Sequence, residues 1–154
     1  MPSSDSSSRR PPKQRRGQTR AAPPTLPTQP PCRVLVVDDD ADIAAIVIEA
    51  LNLEGFATEH ARSPRDVLAL FTERGPDAFE IAFSDPFWDR RDDPYAWLDR
   101  LRAVTSASTV ICTRDRASLF AAYREHGFAA VLEEPFDLRA LTALATSLCA
   151  HRTA

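Results

Sequence analysis

Two periods of apolar residues alternate along residues 32–151. Val34-Leu35-Val36-Val37 is a short continuous apolar run that stops at three acids, Asp38, Asp39 and Asp40. A run of that length, rich in β-branched residues and followed by a helical pattern, predicts a buried parallel strand whose C-terminal end delivers carboxylates into a loop. Ile43, Ile46, Val47, Ala50 and Leu51 then recur at helical spacing ahead of Gly55, which predicts a first helix over residues 41–53. Residues 56–60 read as a second strand. Ser63-Pro64 offers an N-cap and a proline in the first helical position, opening a second helix over 64–74 that packs Val67, Leu70 and Phe71 and stops at Gly75-Pro76. A third strand over 79–84 ends at Asp85-Pro86, and a polar loop reaches Pro94. A third helix follows with Trp97, Leu98, Leu101 and Val104 on one face. Residues 109–112 form a fourth strand and 116–126 a fourth helix closed by Gly127; a fifth strand covers 129–132. Asp137 then caps a fifth helix carrying Leu138, Leu141, Leu144 and Leu148.

Five strands alternating with five helices predict an α/β fold: a doubly wound five-stranded parallel sheet with right-handed crossovers and helices on both faces. No glycine-rich phosphate loop follows the first strand, which argues against nucleotide binding by either usual fingerprint. No Ser, His and Asp set has elbow-type spacing, so hydrolase chemistry has no support and no enzyme is expected. His60, His126 and His151 are widely separated, and surface placement is expected for each.

Composition changes this picture only at the ends. With 154 residues, 44% hydrophobic and 27% charged, the chain holds one ordinary domain with material left over. The first 31 residues contain 8 of the 13 prolines, a serine run and no apolar period, which predicts a disordered tail over 1–31 and a domain over 32–151. Arg9, Arg10, Lys13, Arg15, Arg16 and Arg20 against Asp5 give that tail a charge of +5, leaving −8 for the rest and −3 in total. Such polarity is compatible with an anionic partner, although nucleic-acid binding is not the expected role. No apolar run approaches the ~18 residues of a membrane span, and no signal peptide is evident, so a cytoplasmic protein is expected. Cys32, Cys112 and Cys149 are too few and too scattered for a disulfide framework; Cys112 reads as a core residue and the other two have no assigned role. Lys13 is the only lysine.

The strand ends carry the candidate chemistry. Ligands of open α/β sheets bind outside the carboxyl ends of the strands. There the first strand ends at Asp38-Asp39, the third at Asp85, the fourth at Thr113, and the fifth runs into Glu133-Glu134-Pro135. Adjacent ionised carboxylates repel and call for a hard cation such as Mg2+. The plainer reading is that Asp40 caps the first helix and its neighbours are solvated loop acids.

In Val34-Leu-Val-Val-Asp-Asp-Asp40, Asp85, Thr113 and Glu134-Pro135-Phe136, in that order and spacing, the chain resembles the response-regulator receiver domain of two-component signalling. The resemblance covers residues 32–151. It implies a flavodoxin-like receiver fold and a phosphoryl group taken on Asp85 from a histidine kinase or phosphotransfer protein. Mg2+ would be held by Asp38, Asp39, Asp85 and the Phe87 main-chain carbonyl, with Thr113 as the switch hydroxyl. The signal would leave through the face formed by the fourth helix, fifth strand and fifth helix, also the family's habitual homodimer surface. The sequence departs from the pattern at three places: Glu134 stands where the family has lysine, Val131 where many receivers have an aromatic residue, and Pro86 directly follows the acceptor. Three arrangements are open to Glu134: it points outward, is protonated among the other acids, or cedes its place to Arg114. The resemblance also implies a cis Glu134-Pro135 bond. With no output segment after Ala154, a stand-alone receiver acting through an unknown downstream protein is expected. The alternative is a pseudo-receiver, a protein-interaction module independent of phosphorylation.

Overall fold

In the computed structural model, which describes Ala22 and residues 29–153, the apolar runs form one parallel sheet. The tail expected over 1–31 lies, apart from Ala22 and residues 29–31, outside the described residues. The strands are β1 Arg33–Val37, β2 Ala57–Ala61, β3 Ile81–Ser84, β4 Ser108–Thr113 and β5 Ala130–Glu133, in the order β2-β1-β3-β4-β5. From β1 the chain steps outward to β2 and then crosses back to β3, so the switch point falls between β1 and β3. A crevice opens at such a point, at the C-terminal edge. Val37 pairs with Ser84, which brings the next residues of the two strands, Asp38 and Asp85, to the same edge. The Asp85 amide extends that ladder by donating to the Val37 carbonyl at 2.8 Å.

Strand side chains point alternately to the two faces, and the two cores follow that alternation. Leu35, Val37, Ala82 and Ile111 pack on α2 (Pro64–Arg74) and α3 (Ala96–Val104) through Val67, Phe71, Trp97, Leu98 and Leu101. Val34, Val36, Ile81, Phe83, Val110 and Cys112 pack on α1 (Ala41–Leu53) and α4 (Leu138–Thr153) through Ala44, Val47, Leu51, Leu141 and Ala145. Both faces are therefore covered, as a parallel sheet requires. Cys112 is a buried core residue, as its position in the fourth strand suggested. Two caps start helices where the sequence placed them. Asp40 Oδ1 accepts from the Asp42 and Ile43 amides at 3.0 and 3.2 Å, and Ser63 Oγ accepts from the Asp66 amide at 3.1 Å.

Two expectations are corrected. The helix expected over 116–126 is not α-helical: residues Ala117–Phe120 make a 3-10 turn, and further turns carry the chain to Gly127. Leu119, Ala121, Tyr123 and Gly127 donate to carbonyls three residues back, and only His126 bonds four back. The anchors explain it. Phe120 is fully buried and Tyr123 packs on the same core, and a three-residue repeat aligns them on one side. Packing against Tyr95, whose ring lies 5.5 Å from that of Phe120, overrides the helix propensity of the segment. The second correction concerns the cysteines. Cys32, just ahead of β1, and Cys149, near the end of α4, are joined by a disulfide with Cα atoms 6.3 Å apart and a sequence separation of 117. The crossovers bring these chain segments together on one face, a proximity that cysteine spacing does not reveal.

Candidate functional site

Asp38 is 5% exposed, because it follows the last core residue of β1 directly. Its Oδ1 accepts the Asp40 amide at 2.8 Å, which turns the chain into α1 and orients the carboxyl group. His60, on the neighbouring strand, places Nε2 at 2.8 Å from the Asp38 carbonyl oxygen and is half-buried rather than on the open surface. Asp39 is exposed. Asp85 is held from two sides. Its Oδ1 accepts the Phe87 amide at 2.7 Å, and Ser84 Oγ donates to its carbonyl at 2.8 Å while accepting from Trp97 Nε1 at 3.1 Å. Phe87 takes a φ of 47°, in the left-handed region that non-glycine residues seldom occupy, and its ring meets Trp97 edge-on at 6.2 Å.

Carboxylate oxygens of Asp38, Asp39 and Asp85 all lie within 4.8 Å of one another. Beside them a cleft of about 420 Å³ is lined by Asp39, Asp85, Pro86, Phe87, Trp88, Asp89, Thr113, Arg114 and Asp115. Two larger hollows, of about 570 and 1100 Å³, flank α1 and the opposite edge of the sheet, and neither is lined by these acids. Thr113 is 1% exposed, and its hydroxyl accepts the Asp115 amide at 3.0 Å. Glu134 follows β5 with a cis bond to Pro135, as the resemblance implied. Its amide donates to the Thr113 carbonyl at 2.7 Å, and its side chain, 12% exposed, accepts from Arg114 Nε at 3.0 Å. Arg114 Nη2 meanwhile donates to Asp40 Oδ2 at 2.6 Å. Glu134 is thus paired with Arg114, a tie that none of the three arrangements described. Asp40 is at once the helix cap and an ion-pair partner; the Ile43 amide, followed by Arg114, holds its carboxyl below the usual carboxylate range.

All the residues singled out in the sequence, Asp38, Asp39, Asp85, Phe87, Thr113 and Glu134, thus stand at one edge. Absent from that reading were the Trp97–Ser84 support behind Asp85 and the His60 contact. Both join residues on different elements, so no spacing could signal them. The donor set fits a hard divalent cation: carboxylate oxygens from three residues, one of them buried. Electrostatics point the same way. Burial, then the Asp38, Asp39 and Glu134 charges, push the Asp85 carboxyl up from 3.8 to about 6 against the Phe87 hydrogen bond, and burial also raises Asp38.

No family model matches the chain. Among curated proteins, the transcriptional regulatory protein PrrA of Mycobacterium tuberculosis is 33% identical over 122 residues, covering 78% of this chain and 51% of its own length. The chain therefore spans about half the length of the curated relatives it matches. A response-regulator receiver domain from Clostridium thermocellum superposes with a TM-score of 0.68 at 18% identity, covering 79% of this chain and 97% of that one. The receiver domain of NtrX from Brucella abortus gives a TM-score of 0.63 at 26% identity, covering 75% and 96%. Sheet order, acidic edge and these relatives define the class as a CheY-like receiver fold. The chain's solved neighbours are response-regulator receiver domains and its curated relative is a transcriptional regulatory protein, so it resembles the receiver domains of two-component signalling in fold and in the order of its acidic edge.

A raised carboxyl pKa binds protons more tightly in the folded state than in the unfolded one. Its stabilising contribution is full below pH ~4 and is lost as pH rises through about 6. Without divalent metal, Asp85→Asn is therefore expected to be more stable than the wild type at pH 7 by on the order of 1–2 kcal/mol, allowing for partial solvent screening. The gap should close toward pH 4. Urea unfolding of both proteins in EDTA across that range checks it; a gap independent of pH would show that the Asp85 charge is not its source.

Proposed function

We propose that this domain is a phosphorylation switch rather than an enzyme, taking a phosphoryl group on Asp85 from a phosphohistidine of a kinase or phosphotransfer protein. The observation that carries this reading is the meeting of Asp38, Asp39 and Asp85 oxygens within 4.8 Å, beside a cleft that Thr113 also lines. Because the Phe87 amide occupies Asp85 Oδ1, Oδ2 is the oxygen that attacks phosphorus. The O–P bond forms as the P–N bond breaks, and the electron pair leaves on the donor imidazole. Such transfers depend on positioning and on neutralising the equatorial oxygens. Asp38, Asp39 and Asp85 would hold Mg2+, with the Phe87 carbonyl as a further ligand, and the ion would supply charge neutralisation at the phosphoryl oxygens. Thr113 accepts a hydrogen bond from the Asp115 amide, so its own proton is available to donate to the new group.

Thr113 also joins the reporting face. Its carbonyl bonds the Glu134 amide, and Ile111, two residues before it, pairs with Val131 of β5. A shift at Thr113 is thereby passed to β5 and to the 117–127 turns, which replace the α-helix expected there, and on to a downstream protein. Cytoplasmic placement belongs to the same proposal; no helix among the described residues is long and apolar enough to cross a membrane. The second reading, a phosphorylation-independent interaction module, is favoured by one observation: Arg114 is tied to both Asp40 and Glu134.

Beryllofluoride, which mimics the phosphoryl group on an aspartate, separates the two. Titrated with Mg2+ and followed by amide NMR, it is expected to shift Asp85 and Thr113 first and then residues of β5. If Mg2+ alone moves the acidic residues and beryllofluoride adds nothing, the switch is lost and the interaction module stands.

A further inference from the structure

The cleft beside Asp85 is lined by Asp39, Asp85, Asp89 and Asp115, and Arg114 is its one basic residue. Asp38 and Glu134 add two more carboxylates nearby: both act on the charge of Asp85. A dianionic group arriving there needs a cationic hydrogen-bond donor besides any metal. Lys13, the chain's only lysine, is outside the described residues.

Arg114 is built for that task. Its guanidinium carries five N–H donors in a planar fork. Nε is bound to Glu134 and Nη2 to Asp40, while Nη1 makes no hydrogen bond among the described residues. Such a fork can be held from one edge and present the other to an oxyanion. The two anchors differ in kind. Glu134 is 12% exposed and set in the loop after β5, whereas Asp40 is 34% exposed and already occupied in capping α1. With Arg114 itself 58% exposed, these ion pairs add little stability. What they do provide is position.

We propose that Arg114 is the phosphoryl-recognising cation of this site and that Glu134 is its positioning residue, holding Nε while Nη1 and Nη2 turn to the phosphoryl oxygens. On arrival of the phosphoryl group Asp40 gives up Nη2 and keeps its capping bonds, so the exchange links acceptor occupancy to the first turn of α1. Glu134 acts through the guanidinium and does not touch the phosphoryl group. This inference rests on the phosphoryl-acceptor reading of Asp85.

The test uses the full chain at saturating Mg2+, with beryllofluoride affinity read from amide shifts and the environment of the bound fluorides from 19F shifts. Arg114→Ala is expected to weaken beryllofluoride binding about tenfold or more, with Mg2+ binding and amide dispersion kept, and Arg114→Lys to restore part of the affinity with displaced 19F signals. Glu134→Gln should weaken binding in the wild-type background but strengthen it in Arg114→Ala, where an unpaired Glu134 only repels. A purely structural glutamate would not produce that reversal of sign. Unchanged or tighter binding by Arg114→Ala, with the wild type responding, overturns the inference and leaves the acceptor reading intact. A wild type that takes up Mg2+ but never beryllofluoride overturns both.

Discussion

Asp85→Ala is expected to abolish every beryllofluoride-dependent amide shift, at Thr113 and β5 as well as at the acceptor. The reason is the division of labour among the acids. Asp85 alone combines an oxygen in the three-carboxylate cluster, an oxygen fixed by a main-chain amide and a place lining the cleft. Asp39 shares the cluster and the cleft but projects from an exposed loop position, and Asp38 is buried with one oxygen committed to the Asp40 amide. Neither can stand in as the group that bonds to beryllium. Metal affinity should fall too, though less completely, since two carboxylates remain. The fold should survive, because Asp85 contributes no apolar packing and its charge is a burden in the metal-free state. Amide spectra of the variant titrated with Mg2+ and then beryllofluoride check this. Surviving shifts at Thr113 would place the acceptor elsewhere.

Trp97→Ala should have the largest effect on stability, a loss of about 3–5 kcal/mol. The indole is 5% exposed in the face shared with α2 and α3, meets the Phe87 ring edge-on and donates to Ser84 Oγ. Truncation leaves a cavity against a close-packed sheet and removes the Ser84 hydroxyl's indole donor. The loss should appear as a lower urea midpoint at unchanged slope. Because Ser84 in turn holds the Asp85 carbonyl, Trp97→Phe, which keeps most of the volume, should cost less than the alanine variant yet still weaken beryllofluoride binding. If Trp97→Phe binds like the wild type, the Ser84 bridge does not position the acceptor.

Where local pattern and tertiary demand agree, the chain was readable. The bounds of α1 and α2 came from capping residues and apolar spacing, because Asp40 and Ser63 act on amides two or three residues away. Fully buried strands are continuous apolar runs, so β1 and β4 stood out. The acidic edge was legible for a related reason: in a parallel sheet every strand ends on the same side, so residues just past each run must meet. The 117–127 segment was not legible. Its helix propensity is sound, and the competing demand comes from Phe120 and Tyr123 fitting against Tyr95 and the rest of the α2–α3 face.

By itself the sequence determined the alternation of strands and helices, the parallel sheet and the company of Asp38, Asp39, Asp85, Thr113 and Glu134 at one edge, since these follow from periodicity and from the direction in which strands run. Only the tertiary structure decided how those residues are tied: Arg114 shared between Asp40 and Glu134, Trp97 behind Ser84 and Asp85, His60 against Asp38, and Cys32 bonded to Cys149. Each of these contacts joins different parts of the fold. Such pairs are set by sheet order and crossover geometry, which bring side chains within bonding reach without leaving a period or a spacing in the chain.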